Sequence, residues 1–200
     1  MVLLLILSTF TFQNAGIGTE GYLDMPSGSP KALIIYFHRY VEKGDVIQVW
    51  GESLTPHGYA VAGFTARPGG NILEMNNSAL TELRRKPELT NVPVIAVGAS
   101  MGALSAAQWF ASNPSVRALV LIVPGSPDIC HYLKSASGRP VFLIQAENDE
   151  ISYGSGAKIR ACLASGKQYM LKGAGHLFPP NAVSSEIVQW LDALPLTPTE

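Results

Sequence analysis

The chain has 200 residues, of which 47% are hydrophobic and only 14% charged, and its net charge is −1. That length is enough for one sizeable core, so residues 1–200 read as a single domain. With no basic run there is no electrostatic footprint for nucleic acid, and the apolar excess suits a parallel sheet buried on both faces.

Residues 1–8 are an apolar N-terminal extension. Its run from Met1 to Leu7 is too short to span a bilayer. It has the length of a signal-peptide core, but no Lys or Arg precedes it and no small-x-small cleavage site follows. The compartment therefore leans to the cytoplasm, with export left open. From Thr9 to Gln13, alternating polar and apolar residues predict a half-buried strand, and Thr19 to Met25 its hairpin partner after a turn at Asn14 to Gly18. Pro26 to Pro30 is a loop. Ala32 to Phe37 is the first fully buried strand, ending in His38-Arg39-Tyr40. Lys43 to Leu54 has helical apolar spacing and stops at Pro56 and Gly58. Tyr59 to Thr65 reads as a strand and Ile72 to Lys86 as a helix whose end, Arg84-Arg85-Lys86, is solvated.

Val94 to Val97 is an apolar run that reads as another buried strand. Gly98-Ala99-Ser100-Met101-Gly102 follows in a G-x-S-x-G pattern, and Ala103 to Phe110 is rich in helix formers. Strand, tight turn and helix in that order are the context of a nucleophile elbow. Glycine at both flanks lets the backbones pass closely, and the serine hydroxyl stands exposed above the sheet. The backbone N–H of Met101, at the helix N-terminus, is placed to receive an oxyanion. The competing reading is a serine that only caps the helix.

Beyond the elbow, Ala118 to Val123 and Pro140 to Gln145 predict strands, and the short connection between them leaves little room for a lid domain. Ala157 to Ala164 predicts a helix, Gln168 to Leu171 a strand and Val183 to Leu194 a closing helix with one apolar stripe. The alternation predicts an α/β protein: a mostly parallel sheet with helices on both faces and an antiparallel hairpin at the N-terminal edge. The cysteines, Cys130 and Cys162, are too few for a disulfide framework or a zinc site. They read as buried free thiols, with pairing reserved for an exported chain. No metal-ligand spacing occurs, so no metal is expected.

Ligands of an open parallel sheet bind beyond the carboxyl ends of its strands. Ser100, Asp149 and His176 each follow a predicted strand there, in the chain order Ser, Asp, His. A serine hydroxyl is a poor nucleophile until a base takes its proton. Histidine can take that proton near neutral pH and return it to the leaving group. A carboxylate on the far ring nitrogen fixes the tautomer and stabilises the imidazolium. Asp128, which also follows a strand, is the alternative acid. His57 reads as a turn residue and His131 as a surface residue.

At these motifs, and over nearly the whole chain from Thr9 to Leu194, the sequence resembles the α/β-hydrolase family, in particular compact esterases and dienelactone-hydrolase-like proteins without a large cap. The resemblance implies Ser100 as nucleophile, His176 as base and Asp149 as acid. It also implies an oxyanion hole made by the backbone N–H groups of Met101 and Tyr40. In that family the second donor commonly follows His-Gly, whereas here it follows His38-Arg39. Arg39 and His38 are therefore candidate substrate-binding residues, Arg39 for a substrate carboxylate. His38 has a competing role packed beneath the loop.

The function expected is hydrolysis of carboxylic esters of small or soluble substrates through an acyl-enzyme, with no cofactor and no membrane-spanning segment. A thioesterase, peptidase or acyltransferase would use the same triad. A non-catalytic binding protein on this scaffold is the rival of a different class.

Overall fold

The computed structural model describes residues 8–39, 42–65, 71–136, 138–163 and 166–196. Its strands are β1 (Ser8–Asn14), β2 (Ile17–Asp24), β3 (Ala32–Phe37), β4 (Tyr59–Phe64), β5 (Val94–Ala99), β6 (Val116–Ile122), β7 (Val141–Ala146) and β8 (Lys167–Leu171). They form one sheet in the order β1-β2-β4-β3-β5-β6-β7-β8. β1 and β2 pair as an antiparallel hairpin across Ala15 and Gly16, whose φ angles of 49° and 76° suit a two-residue hairpin turn. β2 is also antiparallel to β4, and every pairing from β4 through β8 is parallel.

β3, β4, β5 and β7 are buried along their whole length, as the continuous apolar runs predict for strands covered on both sides. One face carries α2 (Ile72–Leu83), α3 (Met101–Ser112), α4 (Ile129–Ser135) and α5 (Tyr153–Cys162). The other carries α1 (Ile47–Leu54) and α6 (Ser184–Asp192). Side chains of β5 alternate between the two cores: Val94 and Ala96 pack under α3, while Ile95, Val97 and Ala99 face the α1/α6 side. α3 buries Gly102, Ala103, Ala106, Ala107, Trp109 and Phe110. Its small residues bring the helix close to β5, and its two aromatic side chains fill the space beyond.

The order of the sheet also locates the site. From β3 the chain steps outward to β4, then crosses back to place β5 on the other side of β3. The carboxyl ends of β3 and β5 therefore flank the point where the winding reverses, which is where open α/β sheets generally bind their ligands.

Several expectations are corrected. α4 was not foreseen: a seven-residue helix anchored by Ile129 and Leu133 presents too few apolar repeats to register as periodic. The cysteines are not free thiols. Cys130 on α4 and Cys162 at the end of α5 form a disulfide, because these helices lie side by side on one face of the sheet. Without α4, nothing in the sequence brought those positions together. α5 also begins four residues before the expected start, at Tyr153, and α2 ends at Leu83. Among the described residues no helix is long and apolar enough to cross a membrane, and no large lid domain is inserted between the strands.

Candidate active site

Ser100 stands between β5 and α3 with φ 52° and ψ −115°, a backbone conformation that a residue with a Cβ rarely adopts. Two hydrogen bonds hold it there. Its N–H donates to the Ile122 carbonyl at 2.9 Å, and its carbonyl accepts from the Gly125 N–H at 3.2 Å. The flanking glycines are required by close approach. A Cβ on Gly102 would lie 2.1 Å from the Phe37 carbonyl oxygen, and one on Gly98 would lie 2.6 Å from the Gly102 oxygen. The start of α3 is thus wedged against the loop that leaves β3. Ser100 makes no side-chain capping bond to its helix, so the hydroxyl is not engaged as a cap.

That hydroxyl instead meets His176. Ser100 Oγ lies 2.9 Å from His176 Nε2, and His176 Nδ1 lies 3.0 Å from both carboxylate oxygens of Asp149. With Nδ1–H donating to the carboxylate, Nε2 is the acceptor for the serine proton. The structure therefore brings Ser100, His176 and Asp149, which the sequence separates by 76 and 27 residues, into one hydrogen-bonded line. Asp128 sits exposed at the start of α4. His57 closes a 3-10 turn, and His131 is exposed on α4 against the edge of Tyr132.

Asp149 is nearly fully buried and its oxygens are well supplied with donors. The backbone N–H groups of Ile151 and Ser152 donate to Oδ1 at 3.0 Å each, and the Ser152 hydroxyl donates to Oδ2. Burial pushes the carboxyl pKa up, but the bonds from Ser152 and His176 outweigh it and hold the group below its ordinary value. The carboxylate is therefore ionised at neutral pH. Ser152 was not singled out from sequence. Its signal is an Asx-type turn, an Asp followed three residues later by a hydroxyl residue at a helix start.

The loop after β3 is organised by Glu42. Its carboxylate accepts from the Arg39 backbone N–H at 3.0 Å, from Arg39 Nη1 at 3.1 Å and from the Tyr36 hydroxyl at 3.2 Å. Arg39 is only 8% exposed, and its guanidinium lies 5.5 Å from the ring centre of Phe178, two residues past His176. The structure thus places Arg39 in an ion pair within the β3 loop, its charge met by Glu42, while its contact with the Phe178 ring reaches the histidine loop. Half-buried His38 donates from Nδ1 to the Arg39 carbonyl at 2.7 Å. Met101 opens α3, where backbone N–H groups have no intrahelical acceptor. Tyr40, the other expected oxyanion donor, lies outside the described residues. Among the described residues no three His, Cys, Asp or Glu side chains converge as a metal site.

No protein-family model matches this chain, and no curated protein matches it by sequence. Solved structures do. The esterase domain of a Rhodothermus marinus protein is 20% identical with a TM-score of 0.78, covering 92% of this chain and 97% of that one. Est1E from Butyrivibrio proteoclasticus is 16% identical with a TM-score of 0.76, covering 92% and 97%. A predicted CIB-like hydrolase from Thermoplasma acidophilum is 16% identical with a TM-score of 0.75, covering 94% and 99%. At such identities the likeness establishes architecture, and with the strand order and the elbow it supports one statement: this chain has the α/β-hydrolase fold.

Proposed function

We propose that the protein is a serine hydrolase that cleaves carboxylic esters through an acyl-enzyme. The observation that carries this reading is the line from Ser100 Oγ through His176 to Asp149, with contacts of 2.9 and 3.0 Å. Ser100 Oγ attacks the ester carbonyl as His176 Nε2 takes its proton. The bond from Nδ1 to the ionised Asp149 stabilises the imidazolium. The carbonyl oxygen, now carrying the charge, is received by the Met101 N–H and, by its place after His38-Arg39, the Tyr40 N–H; such donors each lower the barrier by about 3 kcal/mol. His176 then protonates the leaving alkoxide, and the alcohol departs. Water attacks the acyl-Ser100 ester with His176 again as base, and the acid is released. Each half-reaction is an addition to the carbonyl carbon followed by C–O cleavage, and in the second His176 returns its proton to Ser100 Oγ as the acid leaves.

Arg39 belongs in this account as a brace. Paired with Glu42 and set over Phe178, it couples the loop bearing the second oxyanion donor to the loop bearing His176. The esterase names among the structural neighbours agree with the reading. A panel of p-nitrophenyl esters, acyl thioesters and amino-acid anilides tests it. Ester turnover should exceed turnover of the other two classes and vanish in Ser100→Ala. Ester turnover that survives Ser100→Ala would refute it.

A further inference from the structure

At the amino end of β7, on the opposite rim of the sheet from the triad, lies a groove of about 590 Å³. Its apolar lining is Leu133 from α4, Val141 from β7, Leu163 just after α5, Trp190 from α6 and Leu194 just beyond it. Leu133 and Val141 belong to the core beneath α4 and α5, and Trp190 to the core beneath α6. The groove therefore curls round the end of one strand and draws on both helical layers. Leu163 and Leu194 are only half-buried and leave apolar surface in contact with water. β7 is six residues long, so at about 3.3 Å per residue its two ends lie roughly 17 Å apart. Asp149 follows the far end, which sets this groove a strand's length from the triad.

The polar part of the groove is cationic. Lys134, in the last turn of α4, and Arg139 line it, and among the described residues no acidic side chain does. Lys167 opens β8 beside the lining Gly166, with its ammonium 5.5 Å from the ring centre of Phe142, and that ring packs against Trp190. Arg139 donates from Nη1 to the Asn113 and Val116 carbonyls and covers the Phe110 ring at 4.0 Å, so its partners are all neutral. Burial pushes its pKa down, and the like charge of Arg117 pushes the same way. Arg117 itself has a buried Nε with no acceptor. Lys31, Arg39, Arg85 and Lys172 each hold a carboxylate, whereas among the described residues Arg117, Lys134, Arg139 and Lys167 hold none. Positive charge without a counter-charge attracts an anion. A polyanion would use the charges and leave the leucines and Trp190 wet, and a neutral oil would leave the charges unmet.

We propose that this groove binds a medium-chain carboxylate, a fatty-acid anion whose head meets Lys134, Arg139 and Lys167 and whose chain lies along Leu133, Leu163, Trp190 and Leu194. The site is distinct from the triad, and its occupancy does not depend on Ser100 or on the ester-hydrolase reading.

The test titrates the full chain by calorimetry with octanoate, butyrate, octan-1-ol and octylammonium, all below their aggregation limits. If the groove covers about half of each added methylene, octanoate should bind about tenfold or more tighter than butyrate. The alcohol and the ammonium carry the same chain without the anionic head and should bind about tenfold or more weaker than octanoate. Lys134→Glu/Lys167→Glu, at two exposed positions, should weaken octanoate by about tenfold or more, and Lys43→Glu, exposed at the opposite rim, should leave it unchanged. Backbone amide shifts on adding octanoate should move at Leu163 and Leu194. No bound octanoate, equal affinity for octanoate and octylammonium, equal affinity for octanoate and butyrate, or an affinity kept by the double variant would overturn the site. So would shifts confined to Met101 and Leu177, which would place the anion at the triad. Sedimentation with phosphatidylglycerol vesicles in a chain that binds no free octanoate would assign the charges to a membrane surface and overturn it as well.

Discussion

Replacing Gly102 with alanine puts the wedge between α3 and the β3 loop to a quantitative test. The added Cβ would meet the Phe37 carbonyl oxygen at 2.1 Å and the His38 oxygen at 2.6 Å. A comfortable carbon–oxygen contact is roughly 3.3 Å, so one backbone must retreat by about 1 Å. β3 is pinned by parallel partners through Tyr36 on the β4 side and through Phe37 on the β5 side. The displacement therefore falls on the loop that begins at His38 and on the first turn of α3, which carry the two proposed oxyanion donors. Overpacking of this kind costs about 1–3 kcal/mol of stability. A 1 Å misplacement of catalytic groups costs about a hundredfold in rate. Urea unfolding and the kcat for p-nitrophenyl acetate measure the two effects on one preparation. Gly28→Ala is the control, because its Cβ would meet nothing within 4 Å. If Gly102→Ala matched the wild type in both stability and kcat, the close approach would not hold the elbow in place, and the geometric argument would fail.

Further outcomes follow from the same geometry. Asp149→Asn should lower kcat by about a thousandfold or more, because Nδ1 of His176 loses its anionic acceptor. Since hydrogen bonds hold the Asp149 carboxyl below its unfolded value of about 3.9, its stabilisation is complete above that pH and is lost as the pH falls through the folded value. Asp149→Asn should accordingly show a flatter loss of stability below about pH 4 than the wild type, and an unchanged acid limb in chemical denaturation would count against this. Arg39→Met should cost about 3 kcal/mol by stranding the Glu42 carboxylate, and Arg39→Met/Glu42→Gln should recover part of it; equal losses in both would show that the charge is not what matters. Reducing Cys130–Cys162, which closes a loop with a sequence separation of 32, should lower stability by about 3–4 kcal/mol, read as a shift in urea midpoint between oxidised protein and Cys130→Ser/Cys162→Ser.

Much of the fold was legible because its central strands are buried on both faces. Such strands have to be continuous apolar runs, and Ala32 to Phe37 and Val94 to Val97 announce themselves without alternation. The elbow was legible for a related reason: two close backbone approaches within five residues leave room only for Gly98 and Gly102, so the steric requirement is written into the sequence. The positions of Asp149 and His176 could be read because each follows a recognisable strand, although β8 is exposed or half-buried along its length and announces itself more faintly. What was not legible depends on packing between distant segments. α4 has two buried anchors and its N-cap residue, Asp128, makes no side-chain capping bond, and its neighbour α5 carries Gly154 and Gly156 in its first turn, which weaken its propensity. The disulfide exists only once those helices are adjacent. Arg39 stood as a candidate for a substrate carboxylate because its partners, Glu42 and Phe178, approach it from one turn away and from the far end of the chain. A sequence displays a charged residue but not the ion pair that has already claimed its charge.

The central claim is that the Ser100 hydroxyl is a nucleophile activated by His176. Mass-spectrometric mapping after exposure to a fluorophosphonate tests it most directly, because the phosphonyl adduct forms where a serine is both exposed and deprotonated by a neighbouring base. The account predicts a single adduct on Ser100, absent in Ser100→Ala and at least about a hundredfold slower in His176→Ala. An unmodified Ser100, or one modified equally fast without His176, would contradict it.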